Sequence, residues 1–208
     1  MTTSESEVQC FMLEPTTRAR TWLRRYAGPR AAKDCPFKPG WGLHEALTLL
    51  ETRFIECDDR GLTNLLDRST PPHDDLRWPT ECKCGYKFFK DDEWHLLSRN
   101  VYLYPDGTET VLSEAKPGSM WYASWYNKKG LDGHSVVVKL PNGNDWLIEG
   151  KATNCDRPDD KDHLCWVRHG EAPNFTVDKN GNTCSAGAGS ISSGNYHGFL
   201  RDGKLTPI

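Results

Sequence analysis

Eight cysteines and seven histidines are the residues of this chain best suited to chemistry. Thiolate and imidazole groups are preferred zinc ligands, whereas in an oxidising compartment cysteines pair as disulfides. The first seven residues contain no cationic segment followed by an apolar one, so the sequence predicts no secretory signal. We therefore expect metal ligation in a reducing compartment, with disulfides as the alternative.

The sharpest local pattern is a pair of cysteines two residues apart, Cys82 and Cys84, followed by Gly85. The pair and the following glycine resemble the turn of a zinc knuckle, in which backbone amides support the sulfurs and glycine permits a tight turn, although the C-x-C spacing is shorter than the usual C-x-x-C. Two further ligands would close a tetrahedral site, and we expect them to be Cys57 and His73. The alternatives are Cys35 and His95, or two reduced cysteines without metal.

A second group of candidate ligands lies near the C-terminus. We expect it to consist of Cys155, His163, Cys165 and Cys184. If the segment is extended, residues 163 and 165 lie on the same face, because side chains alternate along a strand. His169 and His197 are the alternatives for the histidine, and a disulfide is the alternative to metal. The cofactor prediction is one or two structural zinc ions.

Catalytic signatures are missing from the sequence. It contains no H-E-x-x-H, G-x-S-x-G, Walker A or G-x-G-x-x-G pattern. A zinc site with an open position would permit hydrolysis by a zinc-bound hydroxide, with Glu149 or Asp160 as the base. Nothing requires such chemistry, so we predict a non-enzymatic protein and keep a small zinc-dependent hydrolase as an alternative.

Two stretches are candidates for partner binding. In residues 1–35, a basic N-terminal arm, arginines alternate with aromatic residues, and Arg20, Arg24 and Arg25 are the expected contacts with an acidic partner or nucleic acid. The alternative is a solvated helix that packs on its own domain. Trp121 and Trp125 are expected on one face of an aromatic strand at an oligomer interface, and the alternative is a sheet of the chain's own domain that is covered on both faces.

The periodicity of apolar residues predicts two kinds of secondary structure. Steps of three and four residues over 43–54 favour a helix, and shorter helical turns are expected over 17–26 and 61–68. After residue 98, turn signals separate β-rich segments. These signals are Pro105-Asp106-Gly107, Pro141-Asn142-Gly143, Lys179-Asn180-Gly181 and Asp202-Gly203.

The expected fold class is α+β, mostly antiparallel β, with short hairpins around one or two zinc sites and a small N-terminal helical part. The expected division is a basic arm at 1–35, a mixed helix and zinc-knuckle region at 36–98, and a hairpin-rich region at 99–208. No run of eighteen apolar residues occurs, so we predict no membrane span. A net charge of −3 argues against nucleic-acid binding by the chain as a whole.

Several of these motifs together resemble an uncharacterised, zinc-knuckle-containing protein family of tailed bacteriophages. The resemblance covers roughly residues 75 to 205. The segments that carry it are Trp78 to Tyr86, Pro117 to Trp121, Asp145 to Cys155, Asp159 to Pro173, and Thr176 to Leu200. It implies a phage origin and supplies no activity or catalytic residues.

The function predicted on this basis is that of a bacteriophage virion component, such as a capsid, connector or tail accessory subunit, with structural zinc. Its expected location is the virion or the host cytoplasm, and its expected partners are other phage or host proteins, including copies of itself. The alternative is an intracellular effector that binds a host protein or, through the basic arm, nucleic acid.

Overall fold

The computed structural model describes residues 6–28, 35–36, 43–57, 63–152, 154–179, 184 and 189–208. The chain divides into two compact units. The first unit contains Met1–Pro15, Asp59–Leu62 and Tyr102–Ile208, and the second unit contains Thr16–Asp58 and Thr63–Val101.

Within the described residues, the chain forms short and long strands and one 3₁₀ helix, Leu112–Glu114. The strands are β1 Val8–Gln9, β2 Phe11–Met12, β3 Glu14–Ala27, β4 His44–Cys57, β5 Thr63–Leu65, β6 Glu93–Leu103, β7 Glu109–Val111, β8 Ser119–Tyr122, β9 Val136–Lys139, β10 Asp145–Leu147, β11 Val167–His169, β12 Thr176–Asp178, β13 Ile191–Ser193, β14 Tyr196–Arg201 and β15 Lys204–Pro207. No helix among these residues has the length and apolar character needed to cross a membrane.

The second unit is built on the long antiparallel pair β3–β4. Their register runs from Arg18 opposite Phe54 to Ala27 opposite His44, with a bulge that leaves Leu50 unpaired. Within this unit the strand order is β5-β4-β3-β6. The outer strands β5 and β6 nevertheless meet, because the Asn100 amide donates to the Thr63 hydroxyl at 2.8 Å. The four strands therefore curl around one face of the sheet.

The prediction of a small N-terminal helical part is wrong, because residues 17–26 and 44–54 form strands. Burial along β3 alternates with a period of two, and Leu23 is fully buried between partly exposed neighbours. On β4 the residues that suggested a helical stripe do not form a core face, because Leu47 and Phe54 are 42% and 66% exposed. The three- and four-residue spacing was coincidental. The strand β5 likewise lies within the segment predicted to form a third helical turn.

The first unit consists of small sheets. Their strand orders are β1-β15-β14-β13, β10-β9-β8-β2 and β11-β12. Among the described strands of this unit, β2 and β8 form a parallel pair. Two apolar clusters fill this unit. One is centred on residues such as Met120, Leu140 and Leu200, and the other contains Tyr102 and Trp121. The prediction of a mostly antiparallel β fold is confirmed.

Three predicted turns form hairpins. Gly107 and Gly143 have φ of +81° and +83°, and Gly203, beside Asp202, has φ of +70°. These left-handed conformations explain why glycine stands at each turn. The predicted turn at residues 179–181 lies largely outside the described residues.

Candidate metal centres

The residues around Cys82 form a knuckle in the second unit. The Cys82 amide donates to the Tyr86 carbonyl and the Gly85 amide donates to the Cys82 carbonyl, both at 2.8 Å. Gly85 has φ of +89°, which glycine adopts without strain. Glu81 and Lys87 close the turn as an antiparallel bridge. This tight turn directs both cysteine sulfurs to the same place.

Four side chains of the second unit converge at this turn and form the first cluster. They are Cys35, His44, Cys82 and Cys84, and their ligand atoms all lie within 4.8 Å of one another. The Sγ atoms of Cys35 and Cys82 are 3.8 Å apart. Two sulfurs bound to one tetrahedral zinc at about 2.3 Å each are separated by about 3.8 Å. The geometry of the first cluster therefore fits a tetrahedral zinc ion.

His44 is placed by the first residue of β4. It lies opposite Ala27 of β3, is buried, and has its Nδ1 at 3.1 Å from Cys84 Sγ. Its ring stacks on Tyr86 with centroids 4.1 Å apart. The stacking fixes the plane of the imidazole, as the residues around metal ligands commonly do.

Backbone amides surround the sulfurs of the knuckle. Burial raises the pKa of the Cys82 thiol, but the amides of Cys84 and Glu45 donate to its sulfur, and the resulting pKa is about 7. Burial raises the pKa of Cys84, and an amide hydrogen bond from Tyr86 opposes this effect. Amide donors of this kind stabilise the thiolate form, which is the form that binds metal.

The structure places the two other predicted ligands of this site elsewhere. Cys57 is exposed at the far end of β4, thirteen residues from His44. At about 3.3 Å per residue, the strand separates them by about 40 Å. His73 stacks on Trp94 with ring centroids 4.4 Å apart. The first cluster contains His44 and Cys35 instead. His44 lies in the segment that was predicted to be a helix and was not a candidate ligand, whereas Cys35 was an alternative ligand.

The second cluster lies in the first unit. It brings together the residues expected from the sequence, Cys155, His163, Cys165 and Cys184, with ligand atoms within 4.8 Å of one another. The described part of the loop around these residues is irregular, and 163–165 is not a strand as the alternation argument assumed. His163 is 8% exposed, and its Nε2 is buried without a hydrogen-bond partner. A buried imidazole nitrogen normally has a partner, so this atom is oriented as a ligand would be.

Lysine side chains fix the loop that carries these ligands. The Lys151 ammonium donates to the carbonyls of Arg157 and Pro158 at 2.8 Å each, and also to the Asp160 carbonyl. Lys128 donates to the His163 carbonyl at 3.4 Å. The segment between Cys155 and His163 is thus wrapped around a cation supplied by the chain itself.

A third lysine contacts a sulfur of the second cluster directly. The Lys179 ammonium lies 3.1 Å from the Cys184 Sγ. Three thiolates and one neutral histidine around Zn²⁺ carry a net charge of −1, which an ammonium group stabilises. Cys165 is the most deeply buried of the four candidate ligands in this cluster, and this burial raises the pKa of its thiol to about 11.

The candidate bases of a hydrolase are engaged in structural contacts. Glu149 is buried, accepts from Arg168 Nε at 2.7 Å, and accepts from the Val136 amide at 2.7 Å. Asp160 accepts from the amides of Asp162 and His163. Neither carboxylate belongs to a metal cluster within the described residues.

The predicted partner-binding residues fall into two groups. Arg25 is buried, lies over the Trp94 ring with its Cζ 3.5 Å from the centroid, and donates to the Phe89 carbonyl. Trp121 is also buried, because it lies on β8 among the residues of an apolar cluster. Arg20 and Arg24 point to the opposite face of β3 from Arg25, and Trp125 is 48% exposed in a turn after β8.

Comparison with known proteins adds no assignment: no family model, no curated protein and no solved structure matches this chain.

Proposed function

We propose that this chain is a non-enzymatic structural protein in which one zinc ion stabilises each unit. One observation carries the proposal: each cluster contains four donor side chains, three thiols and one imidazole. Four such donors complete a tetrahedral zinc site and leave no position for water or substrate. Soft thiolate ligands favour zinc over magnesium or calcium, which prefer oxygen.

The local architecture supports a stabilising role for the metal. Both apolar clusters found among the described residues belong to the first unit, so the second unit, although it buries residues such as Leu23, Ile55 and Val101, has the less extensive apolar core. The second cluster lies on a stretch whose only described regular elements are the short strands β11 and β12. Where little apolar surface is buried, metal binding contributes folding free energy directly.

The decisive measurement is elemental mass spectrometry of protein purified without added metal or chelator. We expect about two zinc ions per chain. Cobalt substitution then tests the coordination, because a closed site gives a tetrahedral spectrum that does not change when azide or thiocyanate is added. Absence of metal would contradict the proposal, and an anion-sensitive spectrum would favour the zinc hydrolase instead.

We further propose that the protein is a component of a bacteriophage virion. The sequence resemblance supports the phage origin, and the exposed apolar residues Leu47, Leu49 and Phe54 support a role in macromolecular contact. Mass spectrometry of purified particles tests this proposal. A stoichiometric copy number is expected, whereas presence in infected cells but absence from particles would favour the intracellular effector.

A further inference from the structure

One side of the second unit presents a row of arginine and aromatic side chains. Because side chains alternate along a strand, every second residue of β3 faces outward. These residues are Arg18, Arg20, Trp22, Arg24 and Tyr26, and all are partly exposed. Together with His95 and Arg99 of β6, they form what we call the arginine face.

Contacts between strands place the members of the arginine face in a single layer. The rings of His95 and Tyr26 stack with centroids 5.2 Å apart. The Arg24 guanidinium lies 4.5 Å from the Tyr26 centroid, and that of Arg99 lies 5.6 Å from the Trp22 centroid. Planar guanidinium and aromatic groups arranged in this way offer stacking surfaces to other planar groups.

The charge of the arginine face is positive at its centre. The outward row of β3 contains no acidic residue from Arg18 to Tyr26. Among the described strand residues of the second unit, the acidic ones on this side are Glu45, Glu56 and Glu93. They lie towards the ends of the strands, and Glu45 is paired with Arg24. A polyanion that follows β3 would therefore meet arginines along most of its path.

The two units also differ in charge. The second unit has 14 lysines and arginines against 12 aspartates and glutamates, whereas the first unit has 12 against 17. The net charge of −3 consequently hides a positive unit and a negative one. Charge asymmetry of this kind is expected when one part of a chain binds a polyanion.

The adjoining strand β4 adds apolar contacts on the same side. Leu49 and Phe54 lie opposite Trp22 and Arg18 and are 60% and 66% exposed. Residues directly opposite each other on antiparallel strands share a face. Exposed apolar side chains beside arginines fit the faces of unpaired bases. In a duplex these faces are stacked on one another and are inaccessible.

From these observations we infer that the arginine face binds single-stranded nucleic acid, with arginines on phosphates and Trp22 and Phe54 against bases. This combination of a basic track with stacking side chains is the general design of proteins that bind single strands without strong sequence preference. The inference does not depend on the identity of the metal or on a virion location.

The test is fluorescence anisotropy with a labelled 20-nucleotide oligothymidylate, measured on the full chain as purified over a series of salt concentrations. We expect binding that weakens with salt and exceeds the binding of a duplex of the same length. The variant Arg18→Gln/Arg20→Gln should bind more weakly and lower the slope of log K against log salt by about 1.4, because each single-strand phosphate contact contributes about 0.7.

A second variant and a matched control separate stacking from charge. Trp22→Leu should weaken binding about tenfold without changing the salt slope, because stacking on a base is lost while the phosphate contacts remain. Lys129→Gln/Arg201→Gln changes the net charge equally but lies in the first unit, and it should bind as the wild type does. Melting curves establish that all variants are folded.

Several outcomes would overturn the inference. These are no oligonucleotide binding by folded wild-type protein, equal binding of the single strand and the duplex, or a loss of binding in the control variant as large as that in the arginine-face variants. If the arginine-face variants change the oligomeric state in sedimentation but leave oligonucleotide binding unchanged, the face contacts protein instead. Zinc stoichiometry is measured separately, so failure here leaves the structural-zinc proposal standing.

Discussion

At the scale of single residues, the lysines near the second cluster hold its loop in place, and the sequence gives no indication of this role. Lys151 lies four residues before Cys155 in the chain, yet its ammonium binds carbonyls on the far side of that ligand. Spacing revealed the thiols and the histidine because their chemistry is distinctive, whereas a lysine that donates to backbone carbonyls leaves no pattern.

Lys151→Met should lower the zinc affinity of the second cluster about 10- to 100-fold, since outer-sphere contacts that orient ligands commonly have effects of this size. The first cluster should keep its affinity. Competition with a chromophoric chelator measures both sites. Lys129→Met is a suitable control, because the Lys129 ammonium donates to the Ser124 carbonyl, at 3.3 Å, outside the loop of the second cluster. Equal losses at both clusters would show that the effect is not local.

Asp132 offers a prediction about pH. Its hydrogen bonds from Arg168 lower the pKa of the carboxyl to about 2 from an ordinary value of 3.8. A lowered folded-state pKa means that Asp132 stabilises the protein above about pH 4 and loses this effect as the pH falls towards 2.

Asp132→Asn should therefore be destabilising at pH 6, by less than about 1 kcal/mol because the Asp132 side chain is 44% exposed. The difference from wild type should shrink as the pH falls from 4 towards 2. Urea unfolding of the variant and the wild type over this pH range measures the difference in stability. Loss of metal in acid affects both proteins alike and therefore does not change the difference. A difference that is unchanged at low pH would rule out the ionised carboxylate as its source.

At the scale of elements, the hairpins of the first unit were predictable and the long strands of the second were not. Turn residues with left-handed backbone conformations identify hairpins locally, as at Gly107 and Gly143. In β4, a leucine-rich run happened to match the helical period. The better signal was the alternation in β3, Arg-x-Arg-x-Trp-x-Arg-x-Tyr from residue 18 to 26. A strand at residues 18–26 requires a pairing partner, and that partner is β4, whose first residue is the candidate ligand His44.

The strand assignment makes a clear prediction about stability. Leu23 is fully buried on β3, so Leu23→Ala should cost about 2–5 kcal/mol. Phe54, which a helix would have placed in the core, is 66% exposed, so Phe54→Ala should cost less than about 1 kcal/mol. Urea unfolding of the zinc-loaded proteins compares them. A large cost for Phe54→Ala with a small one for Leu23→Ala would contradict the strand.

At the scale of the whole molecule, the two clusters belong to different units and share no ligand. We therefore expect Cys84→Ser and Cys165→Ser each to retain about one zinc ion per chain. The combination should retain none, because each cluster would lack one of its four ligands. Elemental mass spectrometry measures the metal, and limited proteolysis identifies the unit that becomes sensitive. Loss of both ions from either single variant would show that the clusters are coupled.

The buried arginines of the second unit have a thermodynamic consequence. Arg25 and Arg53 occupy the inner face of the curled sheet, where a β protein usually places aliphatic side chains. We therefore expect unfolding of this unit to expose comparatively little apolar surface, and apolar exposure is what makes the heat-capacity change of unfolding large and positive. Its heat-capacity change per residue should thus fall below the usual 12–15 cal/mol/K or so. The stability of the second unit should accordingly vary little with temperature, with a broad, flat maximum in place of a steep dome.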